Sequence, residues 1–206
     1  MNAAAATPTL SAPPAPPRIG PNAVVQTLAA LEELEGATRA GAIARDTDLA
    51  EVGLSSMIPE AWFVRLVEAV RAELPAARAE AVLREAGRRT ATYVATHRIP
   101  GAAKAMLKVL PGRLARPILL RAIRAHAWTF AGAGTFALEG GRIITLEGAP
   151  TCRGPGPSGA RRGAYYAAAF EGLLHLADRT ITVREVTCQA EGAPKCRFAL
   201  DAIPPT

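Results

Sequence analysis

The 206-residue chain is half apolar, enough to bury a sizeable core, and no apolar run approaches the ~20 residues that a membrane-spanning helix needs. Three cysteines do not make a secreted disulfide framework, and "MNAAAATPTLSAPPAPPR" lacks the basic and Leu-rich parts of a secretory signal, so a cytoplasmic protein with a disordered Ala/Pro-rich lead over residues 1–18 is expected. The formal charge of +6 is unevenly spread: residues 84–124 hold ten Lys or Arg against the single acid Glu85, a net +9 that leaves −3 elsewhere. Such a cluster suits an anionic partner, whether acidic headgroups, an acidic protein surface or a carboxylated small molecule, or else is a set of solvated helix faces.

In chain order, "IGPNAVVQTLAALEEL" reads as a helix that opens at Pro21 and stops at Gly36. "IPEAWFVRLVEAVRAEL" repeats the design between Pro59 and Pro75, with Trp62, Leu66, Val67 and Val70 on one face. The longest helix follows in "PAARAEAVLREAGRRTATYVATHRI", its apolar face at Ala79, Val82, Leu83, Ala86, Thr90 and Val94. "AAKAMLKVLP" and "RLARPILLRAIRAHAW" are two basic amphipathic helices, the second kinked or restarted at Pro117. From Trp128 onward the pattern turns to β: "WTFAGAGTFALEGGRIITLEG" is a hairpin about Gly140-Gly141, with Gly132 and Gly134 marking a bulge or a close backbone approach. Residues 149–163 read as a loop, "AYYAAAFEGLLHLA" as a helix, and "TITVREVTCQA" with "PKCRFALDAI" as a second hairpin.

This order predicts an α+β fold in which N-terminal helices pack on a roughly four-stranded antiparallel sheet, as one domain over residues 19–203 with a helical half (19–127) and a sheet half (128–203).

Cys188 and Cys196 flank the turn of the last hairpin and can be a metal pair, a disulfide or packed thiols. Glu185 and Cys152 complete a candidate ligand set. Glu185, however, sits three residues before Cys188, which puts the two on opposite faces of a regular strand unless a bulge intervenes. Among the three histidines, His126 stands beside Trp128 at the end of a basic helix with Arg116, Arg121 and Arg124, where an apolar, carboxylated macrocycle finds both kinds of contact. No dinucleotide fingerprint, P-loop, nucleophile elbow or nucleic-acid signature is present, so nucleic acid is not the expected partner.

The segment "AAAFEGLLHLADRTITVREVTCQAEGAPKCRFAL" resembles the 4-vinyl reductase domain family at Glu185, Cys188, Ala190, Gly192, Cys196 and Phe198, and "GLSSMIPEAWFVRLVEAVR" with "EAGRRTATYVATHRIP" narrows the likeness to the J proteins of bacteriochlorophyll biosynthesis. The resemblance implies a ligand-binding domain related to heme-type nitric-oxide sensors, often a homodimer. It also implies zinc on Cys188, Cys196 and Glu185, with a further cysteine that phenol-sensing relatives carry just before the preceding helix. Here Gly163 stands near that place and Cys152 is the nearest cysteine. The implied function is binding of a Mg-tetrapyrrole intermediate, divinyl protochlorophyllide or chlorophyllide, to assist its 8-vinyl reduction or its delivery to a pathway enzyme, with peripheral association at the photosynthetic membrane. The alternatives are the 8-vinyl reductase itself and a zinc-stabilised small-molecule sensor.

Overall fold

Residues 15–50, 56–152 and 161–202 are described by the structure, a computed structural model. Most of the Ala/Pro-rich lead, and most of the loop expected over residues 149–163, lie outside the described residues.

A short strand, β1 (Arg18–Ile19), precedes helix α1 (Asn22–Glu35), and α2 (Ala37–Asp46) follows directly behind Gly36. Strand β2 (Ile58–Pro59) pairs antiparallel with β1, so Arg18, placed at the end of the lead by sequence, belongs to a two-stranded sheet. Helices α3 (Glu60–Glu73), α4 (Ala76–His97), α5 (Gly101–Val109) and α6 (Gly112–Ala125) each start immediately after a proline, whose missing N–H costs nothing at a helix entrance. Pro117 neither breaks nor restarts α6; it lies on the exposed side, where the carbonyl it leaves unbonded can meet water.

The β pattern expected from Trp128 starts later than the aromatic residues suggest. Trp128–Ala131 is a helical turn, α7, in which Thr129 and Phe130 donate to the carbonyls of His126 and Ala127. Phe130 there packs edge-on to Phe136 and Phe170, and that tertiary contact overrides its strand propensity. At Gly132 and Gly134 the close-approach reading is the one realised, because added Cβ atoms would lie 1.7 Å from Glu60 Oε2 and 2.7 Å from the Glu147 carbonyl.

Strands β3 (Thr135–Glu139) and β4 (Ile143–Glu147) form the first hairpin, with Gly140 and Gly141 both at positive φ. Helix α8 (Ala164–Leu174) leads to β5 (Ile181–Thr187) and β6 (Cys196–Ala202), giving an antiparallel sheet of order β3-β4-β6-β5.

Helix α8 is the centre of the molecule. Every residue from Ala164 to Phe170 is buried, as befits a helix that is apolar all round. It lies between β5 and α4, and α1 covers α4 in turn. The buried cluster draws on both halves of the chain, from Ile19 and Val24 through Leu83 and Leu119 to Phe198 and Leu200.

Candidate metal centre

Strand β5 buries Ile181, Val183 and Glu185 at alternate positions. A carboxylate in that row needs a partner, since desolvating it alone is expensive. A regular strand would then turn Cys188 away from Glu185. Here the register slips: Glu185 pairs with Phe198 but Thr187 with Arg197, which makes Val186 an extra residue. The bulge restores both ligands to one face.

Cys196 opens β6, and Cys152 arrives from a 3-10 turn, Pro150–Cys152, just after β4. The ligand atoms of Cys152, Glu185, Cys188 and Cys196 lie within 4.8 Å of one another, and all four residues are buried. The Cys188 and Cys196 sulfurs are 4.0 Å apart and all three thiols are free, so the disulfide reading falls. Two sulfurs bound tetrahedrally at ~2.3 Å would stand ~3.8 Å apart, close to that separation.

Backbone N–H groups already point at the sulfurs: Arg162 donates to Cys188 Sγ at 3.4 Å and Gln189 to Cys196 Sγ at 3.3 Å. Gly163 donates to Glu185 Oε2 at 2.9 Å, while Glu185 Oε1 is buried with no hydrogen-bond partner among the described residues. An orphaned carboxylate oxygen facing three thiols fits a bound cation. A Cβ at Gly163 would lie 2.6 Å from Glu185 Oε1, so the position that bears a cysteine in the phenol-sensing relatives also borders this cluster. Cys152 supplies its thiol from the turn instead.

The electrostatics agree. Burial, reinforced by the charge on Cys188, pushes Glu185 up to about 8. Hydrogen bonds from Cys152 and Cys196 draw Cys188 well below the ordinary thiol range, and donating those bonds, together with burial, lifts Cys152 well above it. Cys196 rises to about 12: its bond with Cys152 acts downward, but its bond with Cys188 and burial outweigh it. One anion is all that this pocket holds by itself; protons or a dication must balance the rest.

The turn that carries Cys152 is tied down by residues the sequence did not single out. Arg71 on α3 donates to the Thr151 and Arg162 carbonyls, both at 3.0 Å, and Thr151 Oγ1 donates to the same Arg162 carbonyl at 3.1 Å. Arg162 in turn pairs with Glu68 at 2.9 Å. Arg71 lies 80 and 91 residues from its two acceptors, a separation no local pattern signals.

The other candidate residues stand apart from this cluster. His126, Arg121 and Arg124 are exposed, Trp128 is 60% exposed, and Arg116 is half-buried where its charge helps to lower Asp178. His97 stacks on Tyr93, and His175 bonds the Ile181 carbonyl through Nε2 at 2.8 Å, which gives both histidines local structural roles. An open groove of about 590 Å³ is lined by Leu34, Glu35, Arg39, Ile43, Glu73 and Arg78 among others, and none of the candidate ligand-binding residues borders it.

Comparison with known proteins places these features in context. The 4-vinyl reductase domain family matches residues 143–202, the stretch from β4 to β6 that holds all four clustered ligands. The chain is 37% identical over 194 residues to the bacteriochlorophyll synthase 23 kDa chain of Cereibacter sphaeroides, covering 89% of this chain and 90% of that one. The protein of the same name from Rhodobacter capsulatus is 36% identical over 198 residues, covering 92% and 91%. Among solved structures, an H-NOX protein from S. oneidensis in the Fe(II)NO ligation state superposes with a TM-score of 0.51 at 14% identity, covering 90% of this chain and 99% of that one. A mutant H-NOX protein from S. oneidensis in the Fe(II) state gives 0.52 at 14% identity, covering 91% and 98%. At that identity the likeness establishes the fold alone.

Proposed function

The chain belongs to the family of the bacteriochlorophyll synthase 23 kDa chains, and from that premise we propose that it works in bacteriochlorophyll biosynthesis by binding a Mg-tetrapyrrole intermediate, divinyl protochlorophyllide or chlorophyllide. It then assists 8-vinyl reduction or hands the pigment to a pathway enzyme. The observation that carries the reading is the surface at the end of α6, where an exposed indole and an exposed imidazole stand beside Arg121 and Arg124. Trp128 offers an aromatic face to a flat macrocycle, the arginines pair with its carboxylate, and an imidazole nitrogen of His126 is a suitable single axial ligand for Mg.

Titration of the purified protein with divinyl protochlorophyllide, followed by absorption and fluorescence, is expected to show saturable binding. Trp128→Ala with His126→Ala should weaken it about tenfold or more, the loss of a stacked ring and one ligand bond. Absence of saturation would remove the reading. Conversion of the bound divinyl pigment on adding NADPH or reduced ferredoxin would instead make the protein the reductase.

The buried cluster is a structural zinc site in this reading. Three thiolates and one carboxylate complete four-coordination, which leaves no open position for substrate. What supports it is the unpartnered Glu185 Oε1 beside two sulfurs 4.0 Å apart. Cys152, Cys188, Cys196 and Glu185 would hold the ion, tying the last hairpin to the turn after β4. Arg71 positions that turn without touching the ion, so Arg71→Leu is expected to lower zinc affinity about 10–100-fold while the far-ultraviolet spectrum is unchanged. Competition with a chromophoric chelator measures this, and unaltered affinity would show that the turn holds without Arg71.

A further inference from the structure

Helices α5 and α6 differ from the rest of the surface in two independent ways. Between Gly101 and Ala125 the chain carries six cations and no acid. Among the described residues Lys104, Lys108, Arg113, Arg121 and Arg124 form no ion pair, whereas the arginines of α4 are matched: Arg84 with Glu80, Arg88 with Glu85, and Arg89 with Glu33 and Glu85. The charge of α4 is used internally. That of α5 and α6 is left for a partner.

The same two helices also expose aliphatic side chains. Val109 is 82% exposed, Leu114 52%, and Met106 and Ile118 45% each, four of the six large hydrophobics exposed among the described residues. Helix α6 already spends one apolar stripe on the core, through Ala115, Leu119 and Ile123. Leu114 and Ile118, one turn apart, form a second stripe that points outward among Arg113, Pro117 and Arg121.

We propose that the α5–α6 pair is an interfacial membrane anchor, in which Met106, Val109, Leu114 and Ile118 enter the boundary of an anionic bilayer while the neighbouring Lys and Arg pair with lipid phosphates. No helix among the described residues is long and apolar enough to cross a membrane, so the pair lies on the surface. Charge decides between lipid and protein as occupant. The centre of a protein interface is depleted of lysine, whereas an anionic headgroup layer calls for cations interleaved with aliphatic side chains. The inference rests on α5 and the first turns of α6, ahead of His126 and Trp128, and is independent of the pigment-binding reading.

Vesicle flotation with the full-length protein tests it. The protein is expected to float with phosphatidylcholine vesicles that contain roughly a third phosphatidylglycerol, to stay behind with phosphatidylcholine alone, and to be released largely by ~0.5 M salt. Lys108→Glu with Arg113→Glu, and separately Val109→Ser with Leu114→Ser, should each weaken binding about tenfold or more. All four side chains are exposed, so both variants should fold, and unchanged pigment titration in them would separate this surface from the pigment site. Failure to float with the anionic vesicles would overturn the proposal, as would flotation indifferent to both pairs of substitutions. A solution dimer that both pairs dissociate would also overturn it, by assigning the face to a second copy of the chain.

Discussion

Cys188→Ser protein is expected to contain no zinc and to unfold at a Tm lower by about 6–12 °C, the equivalent of ~3 kcal/mol in a chain of this size. Cys188 is the hub of the cluster. Its sulfur accepts the Arg162 N–H, lies 4.0 Å from Cys196 Sγ, and draws Glu185 upward by its charge. A serine there is a poor ligand and leaves a buried carboxylate with a lone backbone donor, so the loss exceeds that of one packed thiol. Metal analysis of the purified wild type should give one zinc per chain. A strong chelator should bring the wild-type Tm down to that of the variant and leave the variant itself unmoved. A wild type free of metal, whose Tm ignores the chelator, would mean that three packed thiols and a protonated carboxyl close this end of the sheet.

Gly87→Ala should destabilise the protein by ~3 kcal/mol, even though alanine is the better helix former by ~1 kcal/mol. The reason is the crossing of α4 and α8. A Cβ on Gly87 would stand 2.2 Å from the Tyr165 carbonyl oxygen and 3.0 Å from Ala168 Cβ, so the intruded neighbour is backbone and cannot rotate away. To admit a methyl group the central helix must shift, and with it Gly163, whose N–H holds Glu185 Oε2. Gly101→Ala, with nothing within 4 Å of the added atom, is the control and should change stability by less than ~0.5 kcal/mol. Thermal or urea unfolding measures both. Equal stability of Gly87→Ala and wild type would show that α4 and α8 do not meet this closely.

Most elements could be read from local pattern because their apolar spacing and punctuation agree. Pro59 and Pro75 open α3 and α4 at the places their chemistry favours, and Gly140-Gly141 turns the first hairpin. Helix α2 gave no such signal, since "ATRAGAIARD" buries only Ala40, Ile43 and Ala44, too thin a stripe to stand out. The turn at Trp128–Ala131 misled in the opposite direction, its aromatic and β-branched residues favouring a strand that contacts with Phe136 and Phe170 forbid.

By itself the sequence determined the element order, the two hairpins and the residue types able to bind a cation, because hydrophobic periodicity and turn chemistry act between near neighbours in the chain. Only the tertiary structure decided that Val186 bulges, that Arg71 ties the Cys152 turn to α3, and that the arginines of α4 are paired while those of α5 and α6 are not. Those outcomes depend on strand register and on partners as many as 91 residues apart, which meet only after the chain has packed around α8.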